Sequence, residues 1–401
     1  MKTSAGCVAA ASVASLGFPA ILRAAPKEIA IGHIHPLSGF LAFDGQELQN
    51  GLMLAVQEIN AAGGIKSMGG AQLKVLTADS EGKPELAIKA MERLVQEGAV
   101  SVIGCYQSAV TLVATQMAEK LGVPFVVSVA VADEVTARGF KYTFRVQPNA
   151  KQMATQTVQN LSAIVKASGV PAKTIAYIHD DTAFGQSLAG HVAQVAPEEG
   201  FELLLEVPYS PKAPDFTTEV GKIKATNADL VMATGYFGDS VRVYKTMKDL
   251  RVAAKAVVGC GNGAFSHPKF VKELGAITNY VMDGNYQANR LSPRAQAAFA
   301  NYEKRYGTPM GTSTVFAYQA VYVVADALER AATDDRQALR DALAKTHLTD
   351  HILPQGPIVF GEDGQNINAA APMMQILDGR IQVVWPKEYA QADPVFPVPS
   401  A

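Results

Sequence analysis

Three stretches carry residue types that could do chemistry. Gly259-Cys260-Gly261-Asn262-Gly263-Ala264 fits G-x-G-x-x-A after a strand, the spacing at which glycines let a backbone approach a dinucleotide pyrophosphate. It lies late in the chain, and His267 with Pro268 interrupts the helix that should open there, so a flexible cleft loop is the better reading. His33 and His35 alternate on a strand and face one side, as metal ligands would, but no carboxylate or cysteine lies at ligand spacing nearby. They read as structural histidines. Cys105, in Gly104-Cys105-Tyr106, has the type of a nucleophile without a partnered base. The sequence contains no G-x-S-x-G, H-E-x-x-H or Walker loop. Nothing demands catalysis: no catalytic residue, no metal and no cofactor is expected.

The elements that would position such residues alternate regularly. Ile29–Ile34 is an apolar strand, followed by a helix with Leu48, Leu52, Ala55, Val56 and Ile59 on one face, stopped by Gly63-Gly64. Strand 73–78, a helix started by Pro84, strand 100–104, helix 109–121 and strand 125–129 continue the series. Short apolar strands separated by amphipathic helices predict a parallel sheet covered on both faces. The rhythm restarts after Pro148, with strands near 174–179, 202–207, 230–235 and 256–259 and helices near 150–166, 185–196, 215–225 and 240–250. A strand at 280–285 leads to three helices over 293–346, and 373–377 with 381–385 forms a hairpin on Asp378-Gly379. The expected fold is α/β, two doubly wound three-layer α/β/α lobes joined by a multi-stranded hinge. Residues 27–148 plus 279–356 would make the first lobe and 149–278 plus 357–401 the second.

Bulk properties fit that picture. The 401 residues, 48% hydrophobic and 18% charged, suit two lobes rather than one core. A net charge of −2 without a basic tract argues against a nucleic-acid partner. Residues 1–25, with Lys2, an apolar run from Ala5 to Leu22 and then Arg23-Ala24-Ala25, read as a secretory signal; the opening Lys-Thr-Ser-Ala-Gly is like the segment that follows a twin-arginine pair, which would put the true start upstream. Beyond the signal only Cys105 and Cys260 remain, which suits an oxidising compartment; both are read as isolated thiols.

Several segments taken in order resemble the leucine/isoleucine/valine-binding type of periplasmic binding protein, with the type I, Venus-flytrap fold. They are Pro36-Leu37-Ser38-Gly39, Phe43-Asp44-Gly45-Gln46, Glu58-Ile59-Asn60-Ala61-Ala62-Gly63-Gly64-Ile65, Val102-Ile103-Gly104, Leu121-Gly122-Val123-Pro124-Phe125 and His179-Asp180 with Phe184-Gly185. The resemblance implies a ligand held between lobes, against loops at the carboxyl ends of the strands. It places Ser108 at a helix start, with the backbone of Ala130 and Ala132, as the first lobe's contribution, and Phe184 and Tyr236 as the second's. Phe43, Tyr106 and Asn262 are further candidates for the pocket wall.

In the amino-acid binders of that family, a threonine near Ala130 and an acidic residue in the 259–263 loop help to hold the ammonium; here Val131 and Cys260-Gly261-Asn262 stand instead. A buried ammonium without an anionic partner is costly, so the expected ligand is a carboxylate lacking the amine, aromatic or branched, unless Asp239 or Asp181 supplies the charge. The resemblance implies a monomeric periplasmic protein that hands its ligand to the membrane permease of an ABC importer. A ligand-sensing receptor domain is the alternative, and a periplasmic oxidoreductase comes last.

Overall fold

The computed structural model describes residues 1–2 and 27–399, so the signal expected over 1–25 falls outside the described residues except for its first two. The isoleucine-rich opening segment forms β1 (Glu28–His35), with every side chain from Gly32 onward buried. It is followed by α1 (Ala42–Ala61), β2 (Gln72–Asp79), α2 (Pro84–Gln96), β3 (Ser101–Gly104), α3 (Ser108–Leu121), β4 (Phe125–Val127), the single turn α4 (Glu134–Ala137) and β5 (Thr143–Arg145). The strands pair in parallel in the order β2-β1-β3-β4-β5.

The second lobe repeats this winding. It contains α5 (Ala150–Ser168), β6 (Thr174–Asp180), α6 (Ala183–Glu198), β7 (Glu202–Tyr209), α7 (Thr217–Ala225), β8 (Leu230–Thr234), α8 (Phe237–Asp249), β9 (Ala256–Cys260), α9 (Pro268–Leu274) and β10 (Met282–Gly284). The order β7-β6-β8-β9-β10 matches that of the first sheet. In both lobes the strand order reverses beside the first strand, which opens a crevice at the carboxyl ends of β1 and β3, and of β6 and β8. The chain then forms α10 (Pro293–Tyr306), α11 (Thr312–Ala331), α12 (Arg336–Ala344), the small pair β11 (His347–Leu348) and β12 (Ile358–Val359), and finally β13 (Met373–Leu377) and β14 (Arg380–Trp385). Helix α11 is buried on nearly all sides because it lies against α1 on one side and α12 on another. The β13–β14 hairpin turns on Asp378 (φ 49°) and Gly379 (φ 71°) and extends the second sheet antiparallel to β10.

Two lobe boundaries differ from the expected ones. The segment from 279 does not open the first lobe: Met282, Asp283 and Gly284 pair with β9 and β13 inside the second sheet, so the chain crosses after Gly284. The next crossing is later than 356, since β12 pairs with β11, Phe360 stacks on Phe144 at 5.3 Å, and Gln365 bridges Arg145. Apolar strands look alike whichever sheet recruits them; hydrogen-bond partners decide, and those are not local in sequence.

The reactive-looking residues sit in the cores. Cys105 and Cys260 are free, buried thiols in separate lobes, and burial pushes both thiols up. No group of three or more His, Cys, Asp or Glu side chains that could hold a metal occurs among the described residues. His33 and His35 are fully buried, their Nδ1 atoms 2.9 Å apart, while His33 Nε2 has no hydrogen-bond partner. Burial pushes His33 down to about 4 from 6.5 and also lowers His35, with the charge of His33 adding to the second shift. Below pH 6.5 the unfolded chain therefore takes up a proton that the folded lobe refuses, and stability present above 6.5 is lost as pH falls through 4. We predict that the stability of wild type relative to His33→Leu, read by urea unfolding at each pH, falls by about 3 kcal/mol between pH 7 and 4. A flat difference across that range would show that the pair is not buried neutral.

Candidate functional site

Loops at strand ends of both lobes meet around a narrow, partly open cavity. From the first lobe come Tyr106, after β3, and Val129, Ala130 and Val131, after β4; Ser313, near the start of α11, also reaches it. From the second come Phe184, Gly235, Tyr236, Gly261 and Gly263, and Asn285 and Tyr286 follow β10. No charged side chain lines the cavity among the described residues.

Tyr236 is its centre. It caps the N-terminus of α8, where Asp239, three residues on, accepts its backbone N–H at 3.1 Å and the Tyr209 hydroxyl at 2.7 Å. Its ring lies 5.6 Å from Tyr106 and 5.3 Å from Phe184, tilted to both. Gly235 is required beside it, because a Cβ there would sit 2.1 Å from the Tyr209 oxygen. Gly261 holds φ +64°, a conformation that costs glycine little. Tyr106 donates to Asp44 Oδ1 at 3.0 Å, and Tyr286 donates to the Val129 carbonyl at 2.6 Å.

The electrostatics follow from burial. Desolvation pushes Asp44 up to about 6, Asp180 to about 6 and Asp239 to about 7. It also holds the hydroxyls of Tyr106 and Tyr236 well above their ordinary value, and neighbouring carboxylates push both the same way. The site therefore offers hydroxyl groups rather than phenolates. Asp44 is paired with Tyr106, and Asp239 with Tyr209 and the Tyr236 N–H; Asp180 Oδ1 accepts from Thr182, while its buried Oδ2 has no partner among the described residues. In the β4–α4 loop, the Ala132 N–H reaches Ser108 Oγ at 3.3 Å, while those of Ala130 and Val131 have no acceptor among the described residues.

Of the residues the sequence points to, Tyr106, Ala130, Phe184 and Tyr236 line the cavity. Ser108 and Ala132 lie behind it, joined to each other by the bond just described. Asn262 accepts from the N–H groups of Ala264 and Phe265 and donates to the Ala233 carbonyl, so it shapes the loop rather than the wall. Phe43 packs between the lobes, 4.9 Å from Phe237 and under Lys269 Nζ at 3.7 Å. Sequence reasoning missed Val129, Asn285, Tyr286 and Ser313. Tyr286 follows a strand that was recognised but assigned to the other lobe, and Ser313 had no signal at all.

Two polar pairs flank the cavity and join the lobes: Glu47 with His267 at 3.0 Å, both largely buried, and Asp133 with His191. In each the first lobe supplies the acid and the second the histidine.

A family model described as periplasmic binding protein matches residues 28–380. Leu/Ile/Val-binding protein homolog 8 of Brucella abortus is 30% identical over 381 residues, covering 93% of this chain and 94% of that one. Homolog 7 of Brucella suis is 29% identical over 392 residues, covering 94% and 96%. Among solved structures, the branched-chain amino acid transporter substrate binding protein LivJ from Streptococcus pneumoniae, in complex with isoleucine, superposes with a TM-score of 0.76 at 26% identity, over 92% of this chain and 100% of that one. A solute binding protein of an ABC transporter from R. palustris, in complex with benzoate, has the same fold, with a TM-score of 0.75 at 20% identity over 89% and 95%.

Partly buried hydrogen-bonded pairs of this kind contribute about 1 kcal/mol each, a factor of about five in an equilibrium. His267→Ala combined with Asp133→Ala should therefore raise the radius of gyration of the ligand-free protein in small-angle scattering, with melting temperature nearly unchanged. Superimposable curves would show that the pairs do not hold the lobes together.

Proposed function

The chain belongs to the periplasmic binding protein family, and from that premise we propose that it is the solute-capturing component of an ABC importer for a small carboxylate with a branched or aromatic body. The observation that carries this is the cavity between the strand-end loops of two hinged lobes. Its walls are aromatic rings, valines and backbone, the usual makings of a small-molecule site: apolar surface for the body and a few placed donors for the head. The unpartnered N–H groups of Ala130 and Val131 suit a carboxylate oxygen.

The names of the relatives point to branched-chain amino acids. The preference for a ligand without the amine rests on what stands where an ammonium would need a partner. Val131 and Gly261 line the cavity, no carboxylate does so among the described residues, and Asp44, Asp180 and Asp239 are pushed toward the neutral form.

Mechanistically, the protein binds and does not convert. Open lobes expose the strand-end loops to water; a ligand that touches both sides favours the closed form by its differential contacts. Burying a leucine-sized or phenyl body contributes about 2–3 kcal/mol, and a Kd near micromolar corresponds to about −8 kcal/mol in total. The closed outline, presented by both rims in the periplasm, is what a membrane permease would read, with the protein acting as a monomer.

The test is a thermal-shift panel of leucine, isoleucine, valine, phenylalanine, 4-methylpentanoate, 3-phenylpropanoate and benzoate, followed by calorimetry and recovery of the ligand unchanged. The largest stabilisation is expected from acids without the amine. Stabilisation by branched-chain amino acids alone would overturn that preference, and turnover would overturn the binding role. Tyr236→Ala should weaken the best ligand by roughly 10- to 30-fold, as loss of a buried aromatic anchor does, while Tyr236→Phe keeps most of the affinity.

A further inference from the structure

Arg145, at the end of β5, is fully buried. Its guanidinium has four hydrogen-bond partners, all neutral: Gln365 Oε1 at 2.6 Å, the carbonyls of Ala130 at 3.2 Å and Ala132 at 2.7 Å, and Thr136 Oγ1 at 3.0 Å. Burial pulls it down to about 10, against the opposing charges of Asp133 and Asp363. A buried charge is costly unless it is fully hydrogen-bonded, so its surroundings have to be matched to it.

The consequence for the cavity lies in the carbonyls. Ala130 O also accepts Gln147 Nε2 at 2.8 Å, so both of its lone pairs are spent on partners behind the loop. Val131 O accepts the Ala150 N–H at 2.8 Å. Three successive carbonyls thus each have a donor that lies outside the cavity lining, whereas the N–H groups of Ala130 and Val131 have no acceptor among the described residues. On its other side the guanidinium is tied to the hinge. Arg145 N donates to Gly364 O at 2.8 Å and Asn366 N donates to Arg145 O at 3.0 Å. Gln365 Nε2 reaches Gln147 O at 2.8 Å and Gln152 Oε1 at 3.0 Å, the latter in the first turn of α5 in the second lobe.

We propose that Arg145 is a positioning and specificity-determining residue: braced by Gln365 at the hinge, it holds the Ala130–Ala132 carbonyls away from the cleft, so that the first lobe accepts an acid and discriminates against the same acid bearing an α-ammonium. This rests on the carboxylate-binding reading above and names the residue responsible. Without the guanidinium, the Ala130 carbonyl regains a lone pair and can turn toward the cleft, where an ammonium would use it.

The experiment compares wild type with Arg145→Met, Arg145→Lys and Gln365→Leu in the full chain. One arm needs no ligand: amide hydrogen exchange of peptides covering 128–133 and 362–367. The other measures affinity for 4-methylpentanoate and L-leucine, which differ by the amine alone. In Arg145→Met both peptides should exchange faster, and the preference for acid over amino acid should fall by about tenfold, the worth of one hydrogen bond to a charged group. Gln365→Leu should move both readouts the same way; the double variant should be no worse than Arg145→Met alone, and Arg145→Lys should recover part of the preference. A lowered melting temperature with unchanged exchange at 128–133 and an unchanged acid-to-leucine ratio would reduce Arg145 to a structural residue and overturn the proposal. Should Arg145→Met not fold, Gln365→Leu decides on the same two readouts. A wild type that binds neither probe refutes the ligand reading, and the exchange arm still decides the clamp.

Discussion

A parallel sheet cannot hand one strand to the next without a crossover, so its carboxyl edge collects loops on a single rim. In this chain two such rims face each other, and most of what is distinctive follows from that geometry. The loops after β3, β4, β6, β8, β9 and β10 all reach one cavity although they span residues 105–286 of the sequence. Rigid sheets behind them fix where Tyr106, Ala130 and Tyr236 stand. The same arrangement keeps loop backbone close to the gap, which is why glycines at 235, 261 and 263 recur along the wall: a side chain at 235 or 263 would collide with the Tyr209 hydroxyl or the Phe237 amide.

Much of this was legible in the residues. Period-2 and period-3.6 apolar patterns carry local information, and the burial that produces them is what the sheets and helices satisfy: Leu48, Leu52 and Ala55 face the core of the first lobe just as their spacing requires. The Asp-Gly turn at 378–379 was readable for the same reason, since only a few residue pairs tolerate positive φ twice in succession. What could not be read is which sheet a strand joins. Met282–Gly284 and Ile358–Val359 are short strands whose side chains do not single out either lobe, and their assignment depends on partners that are not local in sequence. The site shows the same division. Aromatic residues at strand ends, Tyr106, Phe184 and Tyr236, were found by position and type, whereas Ser108 and Asn262 were marked for polar side chains that accept from backbone N–H groups, Ser108 from Ala132 in the neighbouring loop and Asn262 from its own loop. A polar residue at a helix start has two employers, and only geometry shows which one it serves.

Charge is handled in a consistent way around the cleft. Acids buried there are shifted toward neutrality and given hydroxyl or amide donors, as Asp283 also is by Ser266 and Asn285 with burial raising it to about 7. The fully buried Arg145 guanidinium beside the cleft is dispersed over carbonyls, an amide and a hydroxyl instead of meeting a carboxylate. Such pairing by neutral dipoles leaves the cavity wall without a fixed formal charge, so that selectivity falls to hydrogen-bond direction and shape.

The two outer ends of the described chain belong to different lobes. Lys27 leads into β1 of the first, whereas the closing segment is stitched to the second through Val395 N to Gln375 Oε1 and Val398 N to Lys255 O. A rotation of one lobe against the other about an axis that passes through neither end therefore changes the end-to-end separation, with no engineered attachment point needed inside either body. A donor and an acceptor fluorophore fused to those ends would turn occupancy of the cleft into an optical signal, making the molecule a ready-made reporter for its own guest.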